Sequence, residues 1–197
     1  MRFRYHRGER GDMTVEENNV LNFIRTDYPL TVTAPGGAIT SGTKAMYEVE
    51  FREGRDEWFI GWATPNFKSE EEGGGRGFVG LCDESYSFGS SLGMKFHNNV
   101  VGTEWGTSVY FPTTKVLGVA ADLQTGTLLY AWNGNWEDKN MGMAFEGLPL
   151  DVILFPVISC FYGHGEIKVG QIKVNLGAHE FQFNPPDTSY RSIDDAM

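Results

Sequence analysis

The sequence predicts an all-β chain, a sandwich of two antiparallel sheets. Three observations predict it. Apolar residues alternate at period two in several short runs, which places them on one face of a strand. Glycine supplies 25 of 197 residues and aromatic side chains 14%. Glycine usually stands near 7%, and this density between short apolar runs marks many turns. No stretch of ten or more residues carries apolar side chains at i, i+3, i+4 and i+7, so amphipathic helices are not expected. The length suits one domain with a real core, and 41% hydrophobic with 21% charged residues suits a globular chain.

Taken in order, residues 13–24 come closest to a helical pattern, but Asn18-Asn19 argues against a helix there. Tyr47, Val49 and Phe51 alternate with Glu48 and Glu50, as in a half-buried strand. Trp58 to Ala63 is nearly all apolar, as in a strand covered on both faces, and Trp62 is placed in the core. Glu70 to Gly75 is low in complexity and reads as a mobile loop. Val116 to Leu123 and Thr127 to Trp132 read as two strands joined by a tight turn at Asp122 to Gly126. Asn133-Gly134, a favoured hairpin dipeptide, closes the second of them. Ile167 and Val169 alternate in one phase and Ile172 and Val174 in the other, so a β-bulge is expected at Gly170-Gln171. Longer connections are expected at about 64–76, 98–114 and 133–150. The expected organisation is a basic arm over 1–12, one sandwich domain over 13–186, and an acidic, frayed tail over 187–197.

The net charge is −10, and the first eleven residues oppose it with four arginines against one glutamate. An acidic body repels phosphate backbones and anionic membrane surfaces, so neither nucleic acid nor a membrane is an expected partner. A basic protein partner is favoured instead. The longest apolar stretch, Val152 to Ile158, is far short of the ~20 residues of a membrane-spanning helix. Cys82 and Cys160 are the only cysteines, too few for a zinc site or a disulfide framework. With no apolar signal segment, a cytoplasmic setting is expected.

Two glycine patterns imitate enzyme signatures. Gly75 to Gly80 matches G-x-G-x-x-G, but a glutamate–glycine run leads into it and no helix follows, so it cannot aim a helix N-terminus at a pyrophosphate. Gly89 to Gly93 matches G-x-S-x-G around Ser91, and Asp122 or Asp151 with His164 or His179 would complete a hydrolase order. The strand–elbow–helix context is missing there too. His6, His97, His164 and His179 show no metal-ligand spacing. No catalytic residue, metal or cofactor is therefore expected.

Five motifs occur in an order similar to that of SPRY domains. Glu57 to Ala63 resembles their "W-x-I-G-W/V-A" strand, and Lys115 to Leu123 their "D-V-I-G-V-x-L-D-L" strand. Thr127 to Gly134 resembles the "L-x-F-x-x-N-G" hairpin that follows, and Leu154 to Ser159 the "L-F-P-V-V-S" strand. Val174 to Gly177 with Phe181 to Pro186 resembles "V-N-F-G … F-x-F-x-P-P". The resemblance covers about residues 43–186. It implies a bent, concanavalin-like jelly roll that binds a protein or peptide through loops at one end, without catalysis. The glycine-rich stretch and Pro185-Pro186 are most similar to the ryanodine-receptor type of repeat, which implies as an alternative a structural domain packed in a large assembly. A sandwich lectin or hydrolase is the remaining alternative.

A second likeness is to the SOCS-box adaptors of the family, whose binding surface includes a "V-W-G-H" turn. Phe161-Tyr162-Gly163-His164 stands at that place, so these four are expected contact residues. Tyr162 replaces the tryptophan and keeps an aromatic face for stacking. Trp105 and Trp136, in long loops, are added as expected partner-binding residues, with packing as lids on the sandwich the open alternative.

Overall fold

A computed structural model describes residues 4–6, 11–16, 19–26, 30–53, 57–68, 77–108, 115–161 and 169–196. Apart from 3-10 structure at Asn19 and Pro35–Gly37, the regular structure in them is strand. In chain order the strands are β1 (Arg4–His6), β2 (Gly11–Val15), β3 (Val20–Thr26), β4 (Leu30–Thr33), β5 (Lys44–Glu53), β6 (Glu57–Ala63), β7 (Ser85–Gly89) and β8 (Met94–Phe96). There follow β9 (Thr103–Glu104), β10 (Lys115–Asp122), β11 (Thr127–Trp132), β12 (Gly142–Phe145), β13 (Phe155–Phe161), β14 (Val169–Asn175) and β15 (Arg191–Ser192). They form a seven-stranded sheet in the order β1-β4-β13-β6-β7-β8-β9 and an eight-stranded sheet in the order β12-β11-β10-β5-β14-β3-β2, with β15 beside β5. The pairs along both orders are antiparallel, which gives the expected sandwich.

Alternation decides what the sheets bury. Tyr47, Val49 and Phe51 of β5 meet Trp58, Ile60 and Trp62 of β6 in the main core, with Leu117, Val119, Tyr130 and Ile158 around them. Tyr47 packs edge-on to Trp62 at 5.2 Å and donates its hydroxyl to the Gly61 carbonyl at 2.7 Å, tying one sheet to the other. The other face of β6 is covered as well. Phe59 and Ala63 lie in a second cluster with Val79, Phe96, Phe155 and Val157.

The cover is the segment 77–81, which carries the end of the G-x-G-x-x-G pattern. Side-chain hydroxyls of the seven-stranded sheet hold it. The Val79 amide donates to Ser159 Oγ at 3.0 Å, Ser87 Oγ to the Val79 carbonyl at 2.8 Å, and the Gly80 amide to Ser85 Oγ at 2.8 Å. Buried strand serines thus satisfy a crossing backbone that would otherwise lose its water.

The turns follow the sequence reading. Asp122 Oδ1 accepts the Gln124 and Thr125 amides at 2.8 and 3.1 Å. Asn133 and Gly134 both have positive φ, 50° and 72°, as the Asn-Gly dipeptide allows. The register of β14 against β5 shifts between Gln171 and Ile172, one step beyond the expected bulge. Within the expected long connections lie β9 and β12, too short to show a period.

Both ends of the described chain differ from the expectation of loose segments. Residues 4–6, within the expected basic arm, pair with β4. The segment after Asp187, read as frayed, returns to the eight-stranded sheet. β15 lies parallel to β5 at Ala45 and Met46, and Ile193 is fully buried in the main core. Glu48, itself buried, holds the approach to it by accepting the Gln182 and Phe183 amides at 2.8 and 2.9 Å. Backbone pairing and one apolar anchor override the acidic composition.

Candidate binding site

The strand register assembles one end of the sandwich. Phe161 pairs with Glu57, Phe59 with Gly89, and Met94 with Glu104. The end of β13, the start of β6, the β7–β8 turn and the exit of β9 therefore share one rim. Trp132 joins the other sheet to it, donating Nε1 to the Thr107 carbonyl at 3.1 Å.

Of the expected contact residues, the backbone of Phe161 ends β13 on this rim. Tyr162, Gly163 and His164 lie outside the described residues. Trp105 follows β9 on the same rim. Its ring packs edge-on to Phe88 at 5.8 Å and Tyr130 at 6.1 Å, and Nε1 donates to the Met143 carbonyl at 3.1 Å. It is only partly buried, so one part of the indole closes the gap between the sheets and another part meets solvent. Trp136 leaves from the same end but folds onto the outside of β10. Its ring lies where a side chain on Gly118 would stand, and Nε1 donates to the Asn184 carbonyl at 2.9 Å. The rim thus gathers Phe161 and Trp105, while Trp136 sits on a neighbouring face and clasps the C-terminal segment.

Glu57 is a rim residue that the sequence reading passed over. Its Oε1 accepts the Ser91 amide at 3.3 Å, so its carboxyl anchors the β7–β8 turn. Ser91, the serine of the G-x-S-x-G pattern, is thereby a turn residue of this rim. Asp122 pairs with Lys44 and Thr127 at the far ends of their strands, remote from Ser91. Asp122 is also engaged by Lys44 at 3.2 Å. Among the described residues no three His, Cys, Asp or Glu side chains group to hold a metal.

Burial pushes the Glu57 carboxyl up to about 8, against the opposing bonds from the Ser91 and Leu92 amides. The folded chain therefore keeps a proton here that the unfolded chain releases near the ordinary carboxylate value of about 4.3. By linkage, stability falls as pH rises from about 4.5 to about 8. Glu57→Gln cannot ionise and removes this slope. Thermal melts from pH 5 to 9 should show the wild type losing ground to Glu57→Gln as pH rises; parallel profiles would refute the assignment.

The family model for the SPRY domain matches residues 44–172. The chain belongs to the SPRY family. The domain is also similar to the crystal structure of the SPRY domain of human HERC1, with a TM-score of 0.60, 16% identity, and coverage of 87% of this chain and 98% of that one. At that identity the likeness concerns the fold. No curated protein matches the sequence. SPRY domains are generally protein-interaction modules without catalysis. In this SPRY domain β1 to β4 and β15 lie outside the matched residues, yet they complete both sheets.

Proposed function

We propose that this SPRY domain is a non-catalytic interaction module that binds a basic protein or peptide partner through the loops on the Phe161–Trp105 rim, in the cytoplasm. The observation that carries the reading is the convergence on one rim of the end of β13, which leads into the expected contact turn at 161–164, and the partly exposed Trp105. Aromatic side chains on a rigid scaffold are the usual anchors of such interfaces, and the net charge of −10 favours encounter with basic partners. Trp136 extends the candidate surface onto the adjoining face.

Tyr162→Ala is the direct test. It should weaken recovery of the bound partner from native extract about tenfold or more, a loss typical of an aromatic anchor, while the thermal midpoint stays unchanged. Unchanged recovery would remove the 161–164 turn from the site. Crosslinking of the native protein then separates a free partner from a neighbouring domain of a larger assembly.

A further inference from the structure

The G-x-S-x-G pattern from Gly89 to Gly93 serves no hydrolase, yet it builds a feature of the rim. Ser90, fully buried, ties the β7–β8 turn to β6. Its amide donates to the Trp58 carbonyl at 2.9 Å, and its Oγ accepts the Trp58 amide at 3.2 Å. Gly93 closes the turn with a φ of 64° and its amide on the Gly89 carbonyl at 3.0 Å. Gly89 leaves room for the carboxyl of Glu57. A Cβ there would stand 2.8 Å from Glu57 Oε1 and 2.9 Å from the Phe96 ring. The turn thus cradles an acid against the apolar cluster that holds Phe59 and Phe96.

That acid has acceptor capacity to spare. A carboxylate offers about four lone-pair sites. Among the described residues Glu57 receives the Ser91 and Leu92 amides and no cation. β7, the turn after it and β13 carry no charged side chain. The lysines of β8 and β10 are turned elsewhere, Lys95 onto the Ala144 carbonyl and Lys115 over the Trp132 ring at 5.7 Å. Glu104, exposed on β9, adds a second negative charge to the rim. Holding two amides needs only a neutral acceptor, which glutamine would supply. An ionisable group in an apolar cradle instead costs stability until a counter-charge arrives. The cradle is open at the rim. Glu57 is only partly buried, the Phe161 backbone lies opposite it in register, and Leu92 on the β7 side is 53% exposed.

We infer that Glu57 is the acceptor for a lysine or arginine side chain of the partner, which enters at the rim between the end of β13 and the β7–β8 turn. This rests on the reading of the rim as the binding surface and names the chemistry that the rim selects. The cation pairs with the ionised carboxyl where water is scarce and charge attraction is strong. Its aliphatic stem can lie along Leu92. One proton leaves Glu57 for solvent as the pair forms.

The probes are the capped tripeptides Gly-Lys-Gly and Gly-Arg-Gly. Each is titrated into the full chain and followed by NMR at the Ser91 and Leu92 amides and the Glu57 carboxyl carbon. At pH 7 that carboxyl is mostly protonated, so saturation should carry its signal to the ionised position. Affinity should rise about tenfold from pH 6 to pH 7 and level off above about 8, because only the ionised form binds. Binding of either peptide supports the site, and the tighter one names the cation. Glu57→Gln keeps an acceptor for the turn but should weaken binding about tenfold or more and abolish its pH dependence. Glu146→Gln removes the same charge at the far end of the sandwich, beyond the Leu128–Phe145 pair, and should change affinity no more than about twofold. Equal binding of an uncharged Gly-norleucine-Gly peptide, unchanged affinity in Glu57→Gln, or a carboxyl that stays protonated at saturation would each overturn the proposal. Partner recovery that drops with Tyr162→Ala but not with Glu57→Gln would also overturn it and leave the rim reading standing. Recovery that drops with Glu57→Gln but not with Tyr162→Ala would support it and remove the 161–164 turn.

Discussion

Gly61→Ala should cost about 3 kcal/mol or more, at the upper end for overpacking by one methyl group. A methyl at Gly61 would lie 1.9 Å from the Tyr86 carbonyl oxygen, 2.9 Å from Ser87 Cα and 2.9 Å from the Tyr130 hydroxyl. Two of these are backbone atoms of β7, which pairs with β6 across Gly61↔Ser87. Relief therefore requires two ladder strands to part in a strand that is packed on both faces. The same movement would disturb the Gly61 carbonyl, which accepts the buried Tyr47 hydroxyl from the opposite sheet. Gly118→Ala is the informative comparison. Its methyl would meet the Trp136 ring at 2.7 Å, and a side chain on the outer face can turn away more cheaply than a strand can move. The urea midpoint should fall much further for Gly61→Ala than for Gly118→Ala. Equal midpoints would mean that β6 tolerates a side chain here and that the close approach is not structural.

That glycine also shows what could be read without coordinates. The run from Trp58 to Ala63 lacks a polar face, and double coverage follows from that alone. Asp122 to Gly126 and Asn133-Gly134 were legible because turn chemistry is local. The segment that covers β6 from outside was not legible. It is held by Ser85, Ser87 and Ser159, whose hydroxyls look like ordinary strand polarity until the crossing backbone is in place. β1, β9, β12 and β15 are too short to display a period.

At the candidate site the contrast is similar. The SPRY resemblance pointed to Phe161, and the register sets it on one rim with Trp105. Glu57 went unread because its meaning comes from the β7–β8 turn, whose Ser91 amide its carboxyl accepts. The loop tryptophans carried two readings, lid or anchor. Their indole N–H bonds and ring contacts describe lids, and only the exposed parts of the rings remain for a partner.

Ile193→Ala should cost about 2–4 kcal/mol, as for a fully buried aliphatic side chain whose site cannot collapse. A residue in a frayed acidic tail would change stability by no more than about 0.5 kcal/mol. The two readings of this segment therefore differ by several-fold in the measured effect. The structural reason for the larger value lies in β5. β14 covers that strand from Glu53 to Glu48 and then ends at Asn175, which leaves Ala45 and Met46 without a neighbour on that side. β15 fills the vacancy, and Ile193, the next residue, enters the main core. The turn is closed by the Asp194 amide on the Leu176 carbonyl at 3.0 Å, and Lys44 reaches Asp187 at 3.6 Å as well as Asp122. Losing the Ile193 anchor should thus loosen β15 before the rest of the sheet. Hydrogen exchange should quicken at whichever of the Ala45 and Met46 amides faces β15, since the other faces β10, and by more than at the β5 amides that face β14. Uniform exchange with an unshifted urea midpoint would instead show that the segment rests on the sheet without holding it.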